Sequence, residues 1–238
     1  MHRLFISDLH LSEETPKVEA ALANLLLDNP LPDSLVILGD FFEAWVGDDD
    51  NAPLANRLRE LLYETSQRGC EISIARGNRD FMLGQRFADD VGASLLNDKT
   101  LIDIAKKPAI VLHGDTLCTD DTDYQQFRTM VHDADWQAEM MNKELDERRE
   151  LAQQLRALSI DAASNKPEDI MDVNSEAVSA LMASVGVSIM IHGHTHRPAR
   201  HLLPLGERIV LGDWSETSGW LLREPGDPPT LEQLSLQE

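Results

Sequence analysis

The sequence predicts an α/β fold in which layers of β-sheet are flanked by helices and a helical insertion lies over one end of the strands. Three observations predict it. Short apolar runs rich in β-branched residues alternate with amphipathic stretches. The alternation stops between residue 120 and about residue 182, where helix formers take over. Polar motifs follow most of the apolar runs, at the carboxyl ends where α/β sheets place their ligands. With 238 residues and 42% hydrophobic content the chain can bury one sizeable core, so residues 1–238 are expected to form a single domain carrying that insertion.

Taken in order, Leu4-Phe5-Ile6 is the first buried strand and Asp8-Leu9-His10 follows it. Residues Lys17 to Leu27 have the spacing of a helix. Leu35 to Leu38 is the second strand and runs into Gly39-Asp40; Leu54 to Gln67 is the second helix. Ile72 to Ile74 precedes Gly77-Asn78, and Leu83 to Val91 is again helical. Ala109 to Leu112 ends at His113-Gly114. In the insertion, Trp136, Met140, Leu145, Leu151, Leu155 and Leu158 recur at roughly helical spacing. Val187 to Ile191 leads into Gly193-His194-Thr195-His196. The runs His201 to Leu205, Arg208 to Leu211 and Gly219 to Leu222 read as hairpin strands that finish a second sheet.

Lys and Arg number 21 against 42 Asp and Glu, a formal charge of −21. Nucleic-acid binding rests on cations that neutralise phosphates, so no DNA or RNA partner is expected. Cys70 and Cys118 form neither a CxxC motif nor a disulfide framework, which fits a reducing compartment. The first apolar run is too short for a signal peptide, and no window approaches the roughly 18 apolar residues of a membrane span. A cytoplasmic protein is expected, with peripheral membrane contact left open. Nothing in the sequence predicts a protein partner.

Asp8, His10, Asp40, Asn78, His113, His194 and His196 are candidate metal ligands. Carboxylate and amide oxygens suit hard divalent ions, imidazole suits transition metals, and the lack of thiolates disfavours structural zinc. Within DxH and HxH, residues i and i+2 share a side if the backbone stays extended beyond the strand. Each motif alone is more often a turn or a satisfied core residue; five in this order at successive strand ends point to a metal centre.

In these motifs the chain resembles the calcineurin-type metallophosphoesterases, whose pattern is D-x-H, G-D, G-N-H-[DE], a lone His and G-H-x-H. The resemblance implies a layered sandwich of two mixed β-sheets flanked by helices. It also implies one ion held by Asp8, His10, Asp40 and His196 and another by Asp40, Asn78, His113 and His194, with hydrolysis of a phosphate ester or anhydride as the reaction. The chain departs from the pattern at Gly77-Asn78-Arg79-Asp80, where arginine replaces the histidine that protonates a leaving oxygen. Arginine is no acid near neutral pH, but its planar guanidinium clamps phosphate oxygens. A phosphate monoester leaves without a strong acid, its second pKa being about 6. Arg79 therefore favours a pyrophosphate as substrate.

With that variant, the segments Gly39 to Asp50, His113 to Asp121 and Ile170 to Asn174 resemble the UDP-2,3-diacylglucosamine hydrolases of lipid A synthesis. This resemblance implies water attack on the α-phosphorus of a lipid-linked nucleotide sugar, two Mn2+ ions, and a place at the cytoplasmic face of the inner membrane. It implies catalytic roles for Asp40, Asn78 and Arg79, and substrate contacts from Asn78, Arg79, Asp121, Ser159, Lys166 and His194. The family's usual Asn contact falls on Ala163 and is not assigned. Alternatives are a pyrophosphatase of another nucleotide conjugate and a non-catalytic scaffold on the same fold. The insertion is more acidic between His132 and Glu150 than in related enzymes, so its apolar stripe is expected to pack inward rather than enter lipid. Asp48-Asp49-Asp50 is expected to favour the N-terminus of the following helix, and His192 to pack beneath the last ligand loop.

Overall fold

The computed structural model describes residues 2–27, 30–164, 170–225 and 228–236. Strands β1 (Arg3–Ile6), β2 (Ser34–Leu38), β3 (Glu71–Ala75) and β4 (Ala93–Leu95) run parallel, separated by helices α1 (Pro16–Leu27), α2 (Pro53–Gln67) and α3 (Gln85–Val91). These helices bury Val18, Leu22, Leu58, Leu62 and Phe87 against one face of the sheet, where Leu4, Ile6, Leu35, Ile37, Ile72 and Ile74 meet them. At period two the alternate residues Phe5, Val36 and Leu38 face the other way and pack against the second sheet. A strand buried on both faces has no polar side, which is why these runs are continuously apolar.

The second sheet holds β5 (Thr100–Ile104), β6 (Lys107–Val111), β7 (Ile189–His192), β8 (Ala199–Leu203) and β9 (Gly206–Val210), in the order β5-β6-β7-β9-β8. β6, β7 and β9 are parallel; β5 and β8 pair antiparallel at the edges. Val111, Ile191, Ile209 and Leu211 face the first sheet, while Ile110, Leu112 and Met190 face outward. The result is the expected sandwich of two mixed sheets flanked by helices.

Two assignments change. The run Gly219 to Leu222 lies in β10 (Ser218–Glu224), which joins the first sheet by pairing antiparallel with β1, and β11 (Thr230–Ser235) pairs beyond it. Leu221 and Leu222 are both buried, so this strand could serve either sheet; the return of the chain alongside β1 decides it. The stretch from 120 to 182 divides in two. Helices α4 (Thr122–Val131), α5 (Ala134–Met141) and α6 (Leu145–Ser164) form the cap, whereas α7 (Ser175–Val185) packs Val178 and Met182 on Ile110 and Met190 of the second sheet. The cap stripe is also not uniformly inward: Met140 is buried but Leu158 is 65% exposed.

The tripled aspartate is divided as well. Asp48 accepts the N–H groups of Gly84 (2.8 Å) and Phe87 (3.0 Å) and so caps α3 rather than the following α2. Asp49 and Asp50 meet Arg148 and Arg149 of α6, anchoring the cap to the body; Asp50 also accepts the N–H of Ala52, next to the start of α2.

Candidate metal centre

Five loops carry the predicted ligands, and they leave the carboxyl ends of β1, β2, β3, β6 and β7 at a common edge. Backbone hydrogen bonds lace neighbouring loops together. The Asp8 N–H donates to the Gly39 carbonyl (3.1 Å), His10 to Asp40 (3.0 Å), Leu11 to Phe41 (3.0 Å) and Gly193 to His113 (2.8 Å). The extended geometry expected within DxH and HxH is not what is found. Asp8, His10, Asp40, His194 and His196 all have positive φ, between 48° and 68°. Each such residue costs about 1–3 kcal/mol, which the surrounding structure must offset, and clustering of that strain is typical of functional sites. Two glycines permit the close approach: a Cβ on Gly77 would lie 2.1 Å from Asp40 Oδ1, and one on Gly193 2.2 Å from Asp8 Oδ2.

The ligand side chains fall into two adjoining clusters. In one, His10 Nε2 is 3.2 Å from His196 Nε2 and 3.9 Å from Asp40 Oδ2, and His196 Nε2 is 3.5 Å from Asp8 Oδ1. In the other, Asn78 Oδ1 is 2.9 Å from His113 Nε2 and 2.8 Å from His194 Nδ1, with Asp40 Oδ1 3.6 Å from His113 Nε2. Asp40 thus turns one oxygen to each cluster. Asp8, His10 and His196, and likewise Asp8, Asp40 and His113, bring ligand atoms within 4.8 Å of one another.

The donor chemistry fits divalent cations. His113 donates from Nδ1 to the Leu38 carbonyl (2.9 Å), which leaves Nε2 aimed into the cluster. Burial opposes charge on His113, yet Asp40, Asp8 and Asp115 outweigh it and push its pKa up to about 9. Asp80 is held up at about 6 by burial first and Asp40 second. A buried carboxylate held up by its neighbour, beside a buried imidazole held protonated by three carboxylates, marks a concentration of negative charge that a cation would neutralise. His194 is lowered to about 4 by burial and by His113, and so is neutral and able to ligate. His192 is fully buried beneath the loop with Nδ1 on the Gly193 carbonyl (2.8 Å), and burial lowers it to about 3.

Asp80 holds the two central loops in place. Its carboxylate accepts from the backbone N–H groups of Gly77 (2.6 Å), Phe41 (2.8 Å), Asp40 (3.3 Å) and Phe42 (3.4 Å). Asp80→Ala leaves these buried donors without an acceptor and is expected to destabilise the fold by about 3 kcal/mol. Denaturant titration of the metal-free protein checks this; a loss under about 1 kcal/mol would mean that water replaces the carboxylate easily.

Arg79 lies over the centre. Its backbone N–H donates to Asp40 Oδ1 (2.8 Å), its Nε is 3.9 Å from Asp40 Oδ2, and that buried Nε has no hydrogen-bond partner. Asp121 N-caps α4, accepting from the Tyr124 N–H (3.0 Å). Ser159 is exposed on α6 in the cap, and Lys166 lies outside the described residues. Asn174 serves α7 as its N-cap and donates to Asp120, giving the Ile170 to Asn174 segment a structural role.

Several neighbours of the site were not apparent in the sequence. Tyr124 donates to Asp115 (2.6 Å), and Arg128 pairs with the same carboxylate (2.7 Å) beside His113 and His194. Glu43 faces His10 from the loop after β2, and Arg156 of α6 pairs with it. A helical Tyr, two helical Arg and a loop Glu carry no motif; only the contacts between cap and body single them out.

Residues 1–198 match the family model described as calcineurin-like phosphoesterase. A protein of Cellvibrio japonicus named UDP-2,3-diacylglucosamine hydrolase is 48% identical over 227 residues, covering 93% of this chain and 94% of that protein. One of the same name from Marinobacter nauticus is 42% identical over the whole of both chains. Among solved structures, an archaeal phosphodiesterase superposes with a TM-score of 0.51 over 99% of both chains at 12% identity, which speaks for the fold alone.

Proposed function

This chain belongs to the calcineurin-like phosphoesterases and, among them, to the UDP-2,3-diacylglucosamine hydrolases; we propose that it hydrolyses the pyrophosphate of UDP-2,3-diacylglucosamine by water attack on the α-phosphorus, giving UMP and 2,3-diacylglucosamine 1-phosphate in lipid A synthesis. The observation that carries the reading is Arg79, a half-buried arginine whose Nε makes no hydrogen bond and lies 3.9 Å from Asp40, the carboxylate shared by the two ligand clusters.

In this reading Asp8, His10, Asp40 and His196 hold one ion and Asp40, Asn78, His113 and His194 the other, with Mn2+ favoured by the mixed N and O donors. Bound there, two such ions would supply an activated water nucleophile at neutral pH and neutralise phosphoryl charge. The protein's own groups do the rest. Arg79 directs its guanidinium to the phosphate oxygens, and its charge stabilises the negative charge that builds up during in-line displacement. The leaving group, 2,3-diacylglucosamine 1-phosphate, is a phosphate monoester and departs without a proton from Arg79. Asn78 and His194 border the same phosphoryl position. Asp121, Ser159 and Lys166 are assigned to the substrate's polar groups.

Among the described residues no helix is long and apolar enough to cross a membrane. A lipid substrate supports peripheral attachment at the cytoplasmic face of the inner membrane; on the cap, Met130, Met141 and Leu158 are exposed. The experiment is a substrate panel with Mn2+: UMP release from UDP-2,3-diacylglucosamine, with a soluble UDP-sugar and a dinucleoside pyrophosphate as competitors. Preferential release of UMP from the lipid conjugate is expected. Faster cleavage of either competitor would reassign the substrate.

A further inference from the structure

The contact between cap and body at Glu43 reaches further than an ordinary surface ion pair. Glu43 follows Asp40 in the loop after β2, and its N–H donates to the Leu11 carbonyl (3.1 Å), so it sits across the loop that carries His10. Its two oxygens are divided. Oε2 lies 3.1 Å from His10 Nδ1, a contact at ion-pair distance rather than an aligned hydrogen bond, and Oε1 pairs closely with Nε of Arg156 on α6. On the other side of the His10 ring, Nε2 faces His196 and Asp40. A carboxylate this close to Nδ1 favours the tautomer that carries the proton there, with Nε2 as the lone-pair donor. Arg148 and Arg149 tie α6 to Asp49 and Asp50 independently. Arg156 is therefore not needed simply to keep the cap attached.

We propose that Glu43 is a positioning residue that orients His10 toward its metal ion, and that Arg156 of the cap sets the position of Glu43, so that the cap and the metal centre are coupled through one carboxylate. The proposal rests on the reading of His10 as a ligand. It gives the helical insertion a second task besides covering substrate: a displacement of α6 would be felt at His10 through two side chains.

The test is Mn2+ binding to the full chain, followed by the electron paramagnetic resonance signal of the free ion. Glu43→Gln should weaken one of the two ions by about 10- to 100-fold, the usual cost of losing a partner behind a ligating histidine. Arg156→Gln should weaken the same ion by less. The double variant should match Glu43→Gln, because Arg156 acts through Glu43. Arg149→Gln, which loosens the same helix elsewhere, should bind as the unaltered protein does. If Glu43→Gln does not fold, Glu43→Asp replaces it and should give a smaller weakening of the same ion.

Unchanged affinity in Glu43→Gln overturns the proposal, as does a double variant whose loss is the product of the single losses. An equal weakening in Arg149→Gln overturns it too, by assigning the effect to general loosening of the cap. His10→Ala separates the two levels. If His10→Ala keeps both ions at full affinity, the ligand assignment itself is wrong; if it loses one while Glu43→Gln loses neither, only the coupling through Glu43 is wrong.

Discussion

Asp40→Asn should abolish measurable turnover while leaving the protein folded. Asp40 is 2% exposed and turns Oδ1 toward His113 and Oδ2 toward His10, so it serves both clusters with separate oxygens. The amide keeps the shape but puts a donor where an acceptor and a negative charge stood. The loss should exceed the roughly 100-fold that removal of an outer partner costs a metal site, and Mn2+ stoichiometry should fall with it. Full turnover in Asp40→Asn would contradict a bridging role for this carboxylate.

Arg79→Ala should lower kcat by about 100- to 1000-fold, the range seen when one fixed donor to a developing oxyanion is deleted. Its Nε makes no hydrogen bond and only a 3.9 Å contact with Asp40, which leaves it available to an anion. Arg79→Lys should recover part of the loss, because an ammonium keeps the charge but not the planar fork. The leaving group provides a sharper check. If Arg79 stabilises charge and donates no proton, the effect of its removal should be similar for phosphate leaving groups of different basicity. A penalty that grows steeply with leaving-group pKa would mean that the residue promotes proton transfer after all.

The sequence made the body of the fold legible because strands buried on two faces and helices buried on one leave different hydrophobic periods. Ile37 and Val36 are apolar for two different neighbours, one toward the helices and one toward the second sheet. Of the edge strands, β8 is legible in the run His201 to Leu205, whereas β4, β5 and β11 are not: among their residues only Ile104 is buried, so no apolar run marks them. The ligand motifs stand out because short loops directly after a strand have little freedom, so spacing alone nearly places them. Their backbone did not follow from spacing. Left-handed φ at Asp8, His10, Asp40, His194 and His196 is disfavoured for L-residues and persists only through the lacing of one loop to the next. Asp80 was visible as part of a motif, but its task of joining the N–H groups of Asp40 and Phe41 to that of Gly77 depends on contacts between residues about forty positions apart. Glu43, Arg156 and Tyr124 depend on how the cap lies on the body, which no local pattern encodes.

Hydrolysis of UDP-2,3-diacylglucosamine with Mn2+ in 18O-labelled water, with both products analysed by mass spectrometry, identifies the phosphorus that water attacks. Water attack at the α-phosphorus predicts one 18O atom in UMP and none in 2,3-diacylglucosamine 1-phosphate. Label in the lipid phosphate, or no UMP at all from this substrate, would contradict it.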